Sequence, residues 1–524
     1  IYITNCNSQQ TIPIRDVQWG PCPVSEQYEK MKLNKQTKTA FTHSQSLFAS
    51  AIPKPTADEW LEYVKSLEEN LDCGNFSVPL DWESDGSHMM DAITFFVWRV
   101  KSPHGTAARN QLWVLNGGPG GDGGSLIGLA DSVFQTLGYD WDFVFPDHRG
   151  TGYSTYLGCP DVNDITNCES YLDETWGDKL HYFTTTNAAY DINHGLQYLA
   201  PNYKHSYLYG VSYGTYWANR YLVLNPSFLD AVVLDGLCPP DLCRLYQYDI
   251  NTDWAGKALM EYCGLDLTCI SNLGLSPITS LEQLFDLLTS GALDCAKKVQ
   301  VTPEYLRMIL TQALGDDSAR DLVGPIIKRL LRCNEDDVNA LSYVIFPPTE
   351  SSSQKATVDS DPGYSDVLSN NIILSEMFTP SGLPLPSLEQ LETVYERTFF
   401  AYGSPVTQRQ IYDSWNKYTP DSHYNMYPQY KGPLLMLNGN LDQATPLSWA
   451  TKAANHFTAP KQQLVVIPYS SHASVWHSSV DNSNITCALQ LMKSFLTSQN
   501  HEVDITCVDH VIAPDFSGTT ERSQ

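Results

Sequence analysis

The stretch Leu208-Tyr209-Gly210-Val211-Ser212-Tyr213-Gly214-Thr215 holds a serine between two glycines, in the pattern G-x-S-x-G. Residues 206–209 before the pattern favour a strand, and residues 215–224 after it favour a helix. A strand that turns directly into a helix lifts the serine hydroxyl out of the sheet, and the flanking glycines remove the Cβ atoms that would clash in so sharp a turn. The pattern predicts that Ser212 is a nucleophile. The alternative is a glycine-flanked turn with an ordinary serine.

Other short apolar segments lie on both sides of this stretch. Apolar segments without alternation are typical of strands that are buried on both faces. They are residues 92–98, 111–115, 141–147, 231–235, 433–438 and 463–468. Because helical stretches separate several of them, the sequence predicts βαβ units and a mostly parallel sheet.

One interval between these segments is far too long for a single crossover. Two neighbouring parallel strands need one helix between them, whereas here Asp235 and Pro433 are separated by a long helical stretch that includes a helix start signal at Thr302-Pro303-Glu304. We therefore expect residues 237–425 to form a helical cap inserted into the core, with 349–370 as a loop. The core is then expected in two parts, 1–236 (with an N-terminal extension at 1–75) and 426–524.

Charge and composition exclude several classes of partner. The formal net charge is −27 over 524 residues, and clustered Lys and Arg for binding phosphates are missing, so no nucleic-acid partner is expected. There is no apolar run of about 18 residues, so no membrane partner is expected. No zinc-type Cys/His spacing and no H-E-x-x-H occur, so neither a metal nor a cofactor is predicted.

Cysteines and glycosylation sequons favour an oxidising compartment. The chain has 13 cysteines and sequons at Asn75 and Asn484, and it begins at Ile1. We expect a mature secreted or lumenal protein (lysosome- or vacuole-like) whose leader was removed, glycosylated at both asparagines. The odd cysteine count predicts at least one free thiol. The alternative is a cytosolic protein with reduced cysteines. The sequence leaves the oligomeric state open, with a monomer as the expectation.

A serine nucleophile needs a base and an acid. With strands in this order, the acid is expected after the serine in the chain, and the histidine after the acid. Asp442 is the first carboxylate after the segment 433–438, and His472 follows the segment 463–468. We predict that these two residues complete a triad with Ser212. The alternatives are that Asp442 merely caps the helix after it, and that His477 is the base.

The glycine-rich loop Asn116-Gly117-Gly118-Pro119-Gly120-Gly121 follows the segment 111–115. Backbone N–H groups can approach a reacting oxygen closely where side chains are absent, so we predict an oxyanion hole from Gly118 and Tyr213, with Gly117 as the alternative to Gly118. The same loop also matches G-x-G-x-x-G, the dinucleotide-binding pattern. A dinucleotide-binding site would leave the pattern around Ser212, and the positions of Asp442 and His472, unexplained.

These motifs resemble those of the prolyl-aminopeptidase and tripeptidyl-aminopeptidase-like family of α/β-hydrolase serine exopeptidases, in its secreted branch. The similar stretches are 116–121, 147–154 and 210–215, together with Asp442 and His472. The departures are Asn116, where many members have His, and His148, where Gln is more frequent. The resemblance implies an α/β-hydrolase fold with a large helical cap, and peptide substrates from whose free N-termini residues or short di- or tripeptides are released.

The resemblance also extends to cysteines. Cys22 and Cys73 lie in a segment similar to the start of the secreted branch, Cys263 and Cys269 resemble a pair in its cap, and Cys487 and Cys507 resemble a pair near its C-terminus. The disulfide candidates are Cys22, Cys73, Cys159, Cys168, Cys263, Cys269, Cys487 and Cys507.

An aminopeptidase must hold the substrate's ammonium group, and acidic side chains under the cap would do this. The sequence does not distinguish among Glu261, Glu335 and Glu376. Three other functions remain open at this point: an esterase or lipase with the same triad, an exopeptidase similar to serine carboxypeptidases, and an inactive binding protein.

Overall fold

The structure is a computed structural model, and it describes residues 17–24, 57–67, 70–82, 91–103, 109–159, 165–345, 363–379 and 384–517. Nine strands form one sheet within these residues. They are β1 (Gln18–Gly20), β2 (Leu71–Pro79), β3 (Ala92–Val100), β4 (Asn110–Leu115), β5 (Trp141–Pro146), β6 (His205–Val211), β7 (Ala231–Asp235), β8 (Leu434–Gly439) and β9 (Gln462–Ile467).

The strand order is β1-β2-β3-β5-β4-β6-β7-β8-β9. The strands β1, β2, β3 and β5 pair antiparallel, and every pair from β5 through β4 to β9 is parallel. In the parallel part, β6 lies between β4 and β7, so the loops after these three strands meet at one edge of the sheet. The chain therefore has the predicted α/β-hydrolase fold with a mostly parallel sheet.

The parallel strands differ in burial as their positions require. All residues of β5, β7 and β8 are buried, which is why they are continuous apolar runs. The segment 463–468 was predicted to be equally buried, but β9 lies at the edge of the sheet and alternates, with Val466 exposed and Ile467 buried.

Helices of the core cover both faces of the sheet. They are α1 (Ala57–Ser66), α2 (Leu129–Leu137), α3 (Ile165–Thr175), α4 (Thr185–Leu199) and α5 (Tyr213–Val223) before the insertion. In one buried cluster α4 and α5 pack on one face of the sheet, and in the other α2 and the C-terminal helix pack on the opposite face.

Residues 237–425, called the insertion below, are mainly helical where the structure describes them. The helices are α6 (Tyr248–Cys263), α7 (Leu267–Leu273), α8 (Pro277–Thr289), α9 (Asp294–Lys298), α10 (Pro303–Leu314), α11 (Asp317–Arg320), α12 (Val323–Arg332), α13 (Glu335–Ile345), α14 (Asp366–Ile372), α15 (Leu388–Arg397) and α16 (Ser404–Tyr412). The chain then returns to the core with α17 (Leu447–Ala454) and α18 (Cys487–Thr497).

The insertion has its own apolar core but is not separate from the sheet. Leu259, Leu284 and Leu310 belong to a third buried cluster, which also takes in Leu441 and Phe516 from the later core. Leu368 and Ile372 of α14, by contrast, are buried in the cluster on the sheet. The prediction of a loop through residue 370 was therefore wrong at its end, because Ser365 caps α14 by accepting a hydrogen bond from Leu368 N at 2.9 Å.

Five disulfides occur among the described residues. They are Cys22–Cys73, Cys159–Cys168, Cys238–Cys243, Cys263–Cys269 and Cys487–Cys507. Four of them join candidates from the sequence, whereas Cys238–Cys243, at the start of the insertion, was not predicted. Cys6 lies outside the described residues. No helix in the described part of the chain is long and apolar enough to cross a membrane.

Candidate active site

Ser212 lies at the turn between β6 and α5 with φ 59° and ψ −128°. The two flanking glycines are required there, because a Cβ on Gly210 would lie 2.5 Å from Gly214 O and one on Gly214 would lie 2.2 Å from Leu115 O. The backbone of Ser212 is held by its own N–H, which donates to Asp235 O at 2.9 Å. Such a strained serine at the end of a central strand has the backbone of a nucleophile elbow.

Asp442 and His472 are hydrogen-bonded to each other. His472 Nδ1 lies 2.9 Å from Asp442 Oδ2 and 3.0 Å from Oδ1, and both side chains are completely buried. Asp442 also accepts hydrogen bonds from the N–H groups of Ala444 and Thr445 and from the Thr445 hydroxyl. This fixes the carboxylate in the loop after β8, so that it can orient the imidazole ring and stabilise its protonated form.

Asp235 connects the turn of Ser212 to the loop of His472, and sequence reasoning missed it. Its backbone oxygen accepts from Ser212 N, and its carboxylate accepts from Ser474 N and Val475 N at 2.9 Å each. The next residue, Gly236 (φ 67°), leaves only enough room for the His472 ring, since an added Cβ would lie 3.1 Å from Cε1. The signal available in the sequence was a carboxylate at the end of a buried strand.

The glycine-rich loop after β4 packs against Ser212. A Cβ on Gly117 would lie 3.1 Å from Ser212 Oγ. The Gly117 N–H donates to Asn116 Oδ1 at 2.6 Å, whereas the N–H groups of Gly118 and Tyr213 have no hydrogen-bond acceptor among the residues that the structure describes. The N–H groups of Gly118 and Tyr213 can therefore still donate to a bound oxygen, whereas that of Gly117 is already engaged.

Asn116 holds this loop in shape. Its amide donates to Asp122 O at 2.6 Å and to Ser125 Oγ at 2.9 Å, while its carbonyl accepts from Gly117. Asp147, at the end of β5, accepts from Gly123 N at 2.9 Å. The loop leads into a single 3-10 turn at Gly124–Leu126 and not into the α-helix that a dinucleotide site requires.

His148 packs against Tyr213, the residue that follows Ser212. Its Nε2 lies 3.2 Å from the Tyr213 hydroxyl and its Nδ1 lies 2.7 Å from Arg149 O. Burial lowers the pKa of His148 to about 3, so the ring is neutral at any ordinary pH. The neighbouring Arg149 forms a buried ion pair with Asp191 at 2.7 Å. Residues 147–149 are thus part of the framework beneath Tyr213 and the glycine-rich loop.

The remaining histidines of the second core part lie elsewhere. His477 faces the insertion, with Nδ1 3.9 Å from Asp317 Oδ1. His456 stacks on Tyr427 at 3.7 Å, and His501 bonds to Phe495 O. Among the described residues, no group of three or more His, Cys, Asp or Glu side chains could hold a metal ion.

Three loops around Ser212, and the helix α5 that follows it, are each bonded to the insertion. Ser365 N donates to Gly120 O in the glycine-rich loop at 2.9 Å, and Tyr364 OH donates to Pro119 O at 2.9 Å. The three other contacts reach the loop of Asp442, the loop of His472 and helix α5. They are Thr252 Oγ1 to Gln443 O at 3.3 Å, Arg320 Nη1 to Tyr469 O at 2.5 Å and Tyr216 OH to Glu376 Oε2 at 2.9 Å.

Residues 404–507, which include Asp442 and His472, match the family model described as TAP-like protein. Two curated relatives from Streptomyces coelicolor and Streptomyces lividans, each called tripeptidyl aminopeptidase, are 26% identical to the chain over 218 residues. The predicted resemblance to TAP-like α/β-hydrolases is confirmed. The match covers 36% of this chain and 39% and 40% of the relatives, so it spans about two fifths of their length.

Solved structures that align with the chain include an esterase from Exiguobacterium antarcticum and the juvenile hormone epoxide hydrolase of the silkworm Bombyx mori. The esterase is 12% identical with a TM-score of 0.29, covering 73% of this chain and 90% of its own. The epoxide hydrolase is 12% identical with a TM-score of 0.32, covering 86% of this chain and 89% of its own.

Proposed function

We propose that this TAP-like α/β-hydrolase is a secreted serine exopeptidase that releases residues or short peptides from free N-termini. The observation that carries the proposal is the buried hydrogen bond of 2.9 Å between His472 and Asp442, tied through Asp235 to the strained turn of Ser212. A base hydrogen-bonded to an acid, in a loop that Asp235 ties to the turn of a serine, supplies the side chains that acyl transfer needs.

In the proposed reaction, His472 Nε2 takes the proton of the Ser212 hydroxyl as Oγ attacks the scissile carbonyl carbon. The tetrahedral oxyanion accepts hydrogen bonds from Gly118 N and Tyr213 N, and Asp442 stabilises the imidazolium. His472 then protonates the leaving amine, which departs with the rest of the peptide. Water, deprotonated by His472, hydrolyses the acyl-enzyme and restores Ser212.

The preference for chain ends rests on the insertion and on the relatives. Both curated relatives are called tripeptidyl aminopeptidase. A cap bonded to three loops around Ser212 and to helix α5 limits the room for a peptide that continues in both directions. Of the three acids considered as ammonium ligands, Glu376 is paired with Arg220 at 2.8 Å, whereas Glu261 and Glu335 are exposed. Glu376 is therefore a poor ligand for a substrate's ammonium group.

Secretion is supported by the five disulfides and by the exposure of both sequon asparagines, Asn75 and Asn484. Glycans could be attached at both positions without unfolding the chain. Loss of mass after enzymatic removal of N-glycans, absent in an Asn75→Gln/Asn484→Gln variant, would test this part of the proposal.

The function is tested with a peptide library in which half of the peptides are N-acetylated. We expect mass spectrometry to show short N-terminal products from the free peptides alone, and none from the Ser212→Ala variant. Equal cleavage of acetylated peptides would exclude an aminopeptidase. Hydrolysis of acyl esters without cleavage of any peptide would identify an esterase, and failure of a fluorophosphonate to label Ser212 would indicate an inactive binding protein.

A further inference from the structure

Two cysteines of the insertion lie together as thiols. Of the twelve cysteines within the described residues, ten form the five disulfides, and only Cys295 on α9 and Cys333 after α12 do not. Cys295 is buried and Cys333 is half-buried. In a chain whose other described cysteines are all oxidised, a pair of neighbouring thiols needs an explanation.

The two cysteines bond to the same backbone oxygen. Cys295 Sγ donates to Arg329 O at 3.9 Å, and Cys333 N donates to that oxygen at 2.9 Å. Burial, and after it the neighbouring Cys333 side chain, raises the pKa of Cys295 to about 12. Two cysteines that both bond to Arg329 O lie close together, as the short span of a disulfide requires.

The backbone at Cys333 gives a second, independent indication. Cys333 follows α12 with φ 54° and ψ 43°, in the left-handed region where helices usually end on glycine. A residue with a Cβ is strained there, and such strain persists where the side chain itself is needed. The partner that the structure offers to this side chain is the thiol of Cys295.

We propose that Cys295 and Cys333 are an oxidation site that closes to a sixth disulfide, between α9 and α12, when the protein meets a small-molecule disulfide such as oxidised glutathione. This proposal does not depend on the proposed peptidase activity. The new bond would fasten the short helix α9 to the end of α12, where Arg329 and Arg332 form ion pairs with Asp337.

The exchange has two steps. The half-exposed Cys333 thiolate attacks one sulfur of oxidised glutathione, forms a mixed disulfide and releases one glutathione thiolate, which takes up the proton that Cys333 lost. Cys295 then gives its proton to solvent and attacks the Cys333 sulfur, which expels the second glutathione. Two protein thiols are oxidised and one glutathione disulfide is reduced to two glutathione molecules. Because the pKa of Cys295 is raised, Cys333 reacts first.

Peptide mapping without reductant tests the proposal. The intact protein, before and after treatment with oxidised glutathione, is denatured in N-ethylmaleimide and cleaved with trypsin. Cleavage after Lys257 and Lys297 gives a peptide with Cys263, Cys269 and Cys295, and cleavage after Arg332 and Lys355 gives one with Cys333. In the treated sample we expect the two peptides to be joined, with a mass that is two hydrogens lower than the sum of their separate masses. A separate Cys333 peptide in the treated sample, carrying N-ethylmaleimide or glutathione, would overturn the proposal.

Two matched variants assign the bond. In Cys295→Ser, Cys333 should keep glutathione as a stable mixed disulfide, because its partner is gone. In Cys333→Ser, Cys295 should remain unmodified over the same time, because it is buried and protonated. A linked peptide that persists in Cys295→Ser would mean that Cys333 pairs with Cys263 or Cys269 and would overturn the assignment.

Discussion

Glu376 of the insertion and Arg220 of helix α5 form a buried ion pair, with 2.8 Å between Oε2 and Nη2. Arg220 lies two turns after Ser212 on the helix that the nucleophile elbow begins. Glu376 also accepts hydrogen bonds from Tyr216 OH and Tyr418 OH. Both charges are thus fully paired, and they join the insertion directly to the helix that carries Tyr213.

We expect Glu376→Gln to destabilise the protein by about 3–5 kcal/mol, because it leaves the Arg220 guanidinium buried without a counter-ion. The measurement is the free energy of unfolding from urea titration, with Glu392→Gln on the exposed face of α15 as the matched control, which should change it by less than about 0.5 kcal/mol. The double variant Arg220→Met/Glu376→Leu removes both charges and should recover much of the loss. If Glu376→Gln had the same free energy of unfolding as the control, the ion pair of Arg220 and Glu376 would not stabilise the contact between the insertion and the core.

The sequence predicted the sharp turn at Ser212 but not this ion pair, because the two charged residues lie far apart in the chain. The conformation of Ser212 follows from Gly210 and Gly214, which are two residues away and act through their missing Cβ atoms. From the sequence, Glu376 was only one of three candidate ligands for the substrate's ammonium group, because nothing near it in the chain indicates that it contacts Arg220.

The same limit applies to Asp235. Its carboxylate binds Ser474 N and Val475 N, which lie more than two hundred residues later in the chain. Periodicity predicted the strand that Asp235 ends, but no local pattern marks a residue as the link between two loops. The prediction of His472, in contrast, follows from the order of strands, which determines the loop in which a base is expected.

The choice between His472 and His477 gives a second prediction. We expect His472→Gln to lower kcat on a peptide with a free N-terminus by about 10⁴-fold or more, because Ser212 loses its base. His477→Gln should keep kcat within about threefold, since His477 faces Asp317, whereas Asp442 is hydrogen-bonded to His472. Steady-state kinetics on both variants, with circular dichroism to confirm folding, separates the two. A larger loss for His477→Gln than for His472→Gln would reverse the assignment.

Gly214→Ala gives a third prediction. The added Cβ would lie 2.2 Å from Leu115 O, a backbone atom of a central strand that cannot move aside. We expect this variant either to fail to fold or to melt far below the wild type. Gly128→Ala is the matched control, because nothing lies within 4 Å of its added Cβ, and it should melt at or slightly above the wild-type temperature. Calorimetry of both variants is the measurement, and equal melting temperatures would contradict the packing described for the elbow.

Asp249 of α6 gives a fourth prediction, on pH. Burial raises the pKa of Asp249 to about 7, and the hydrogen bonds from Gly403 N and Tyr402 N only partly oppose this. Between the ordinary pKa of 3.8 and about 7, the unfolded chain therefore loses the proton of Asp249 while the folded chain keeps it. The folded state binds more protons over that range, so this residue makes the protein less stable as pH rises.

In Asp249→Asn the side chain is neutral at every pH, and its oxygen can still accept from Tyr402 N and Gly403 N. We therefore expect the free energy of unfolding of the variant, relative to wild type, to rise between about pH 4.5 and about pH 7.5. Urea titrations at both pH values measure this difference, with the exposed Asp286→Asn on α8 as the control that should show no such rise. A difference that stays constant with pH would mean that Asp249 ionises at its ordinary pKa, and hence that the contact between α6 and residues 402–403 is more hydrated than its burial indicates.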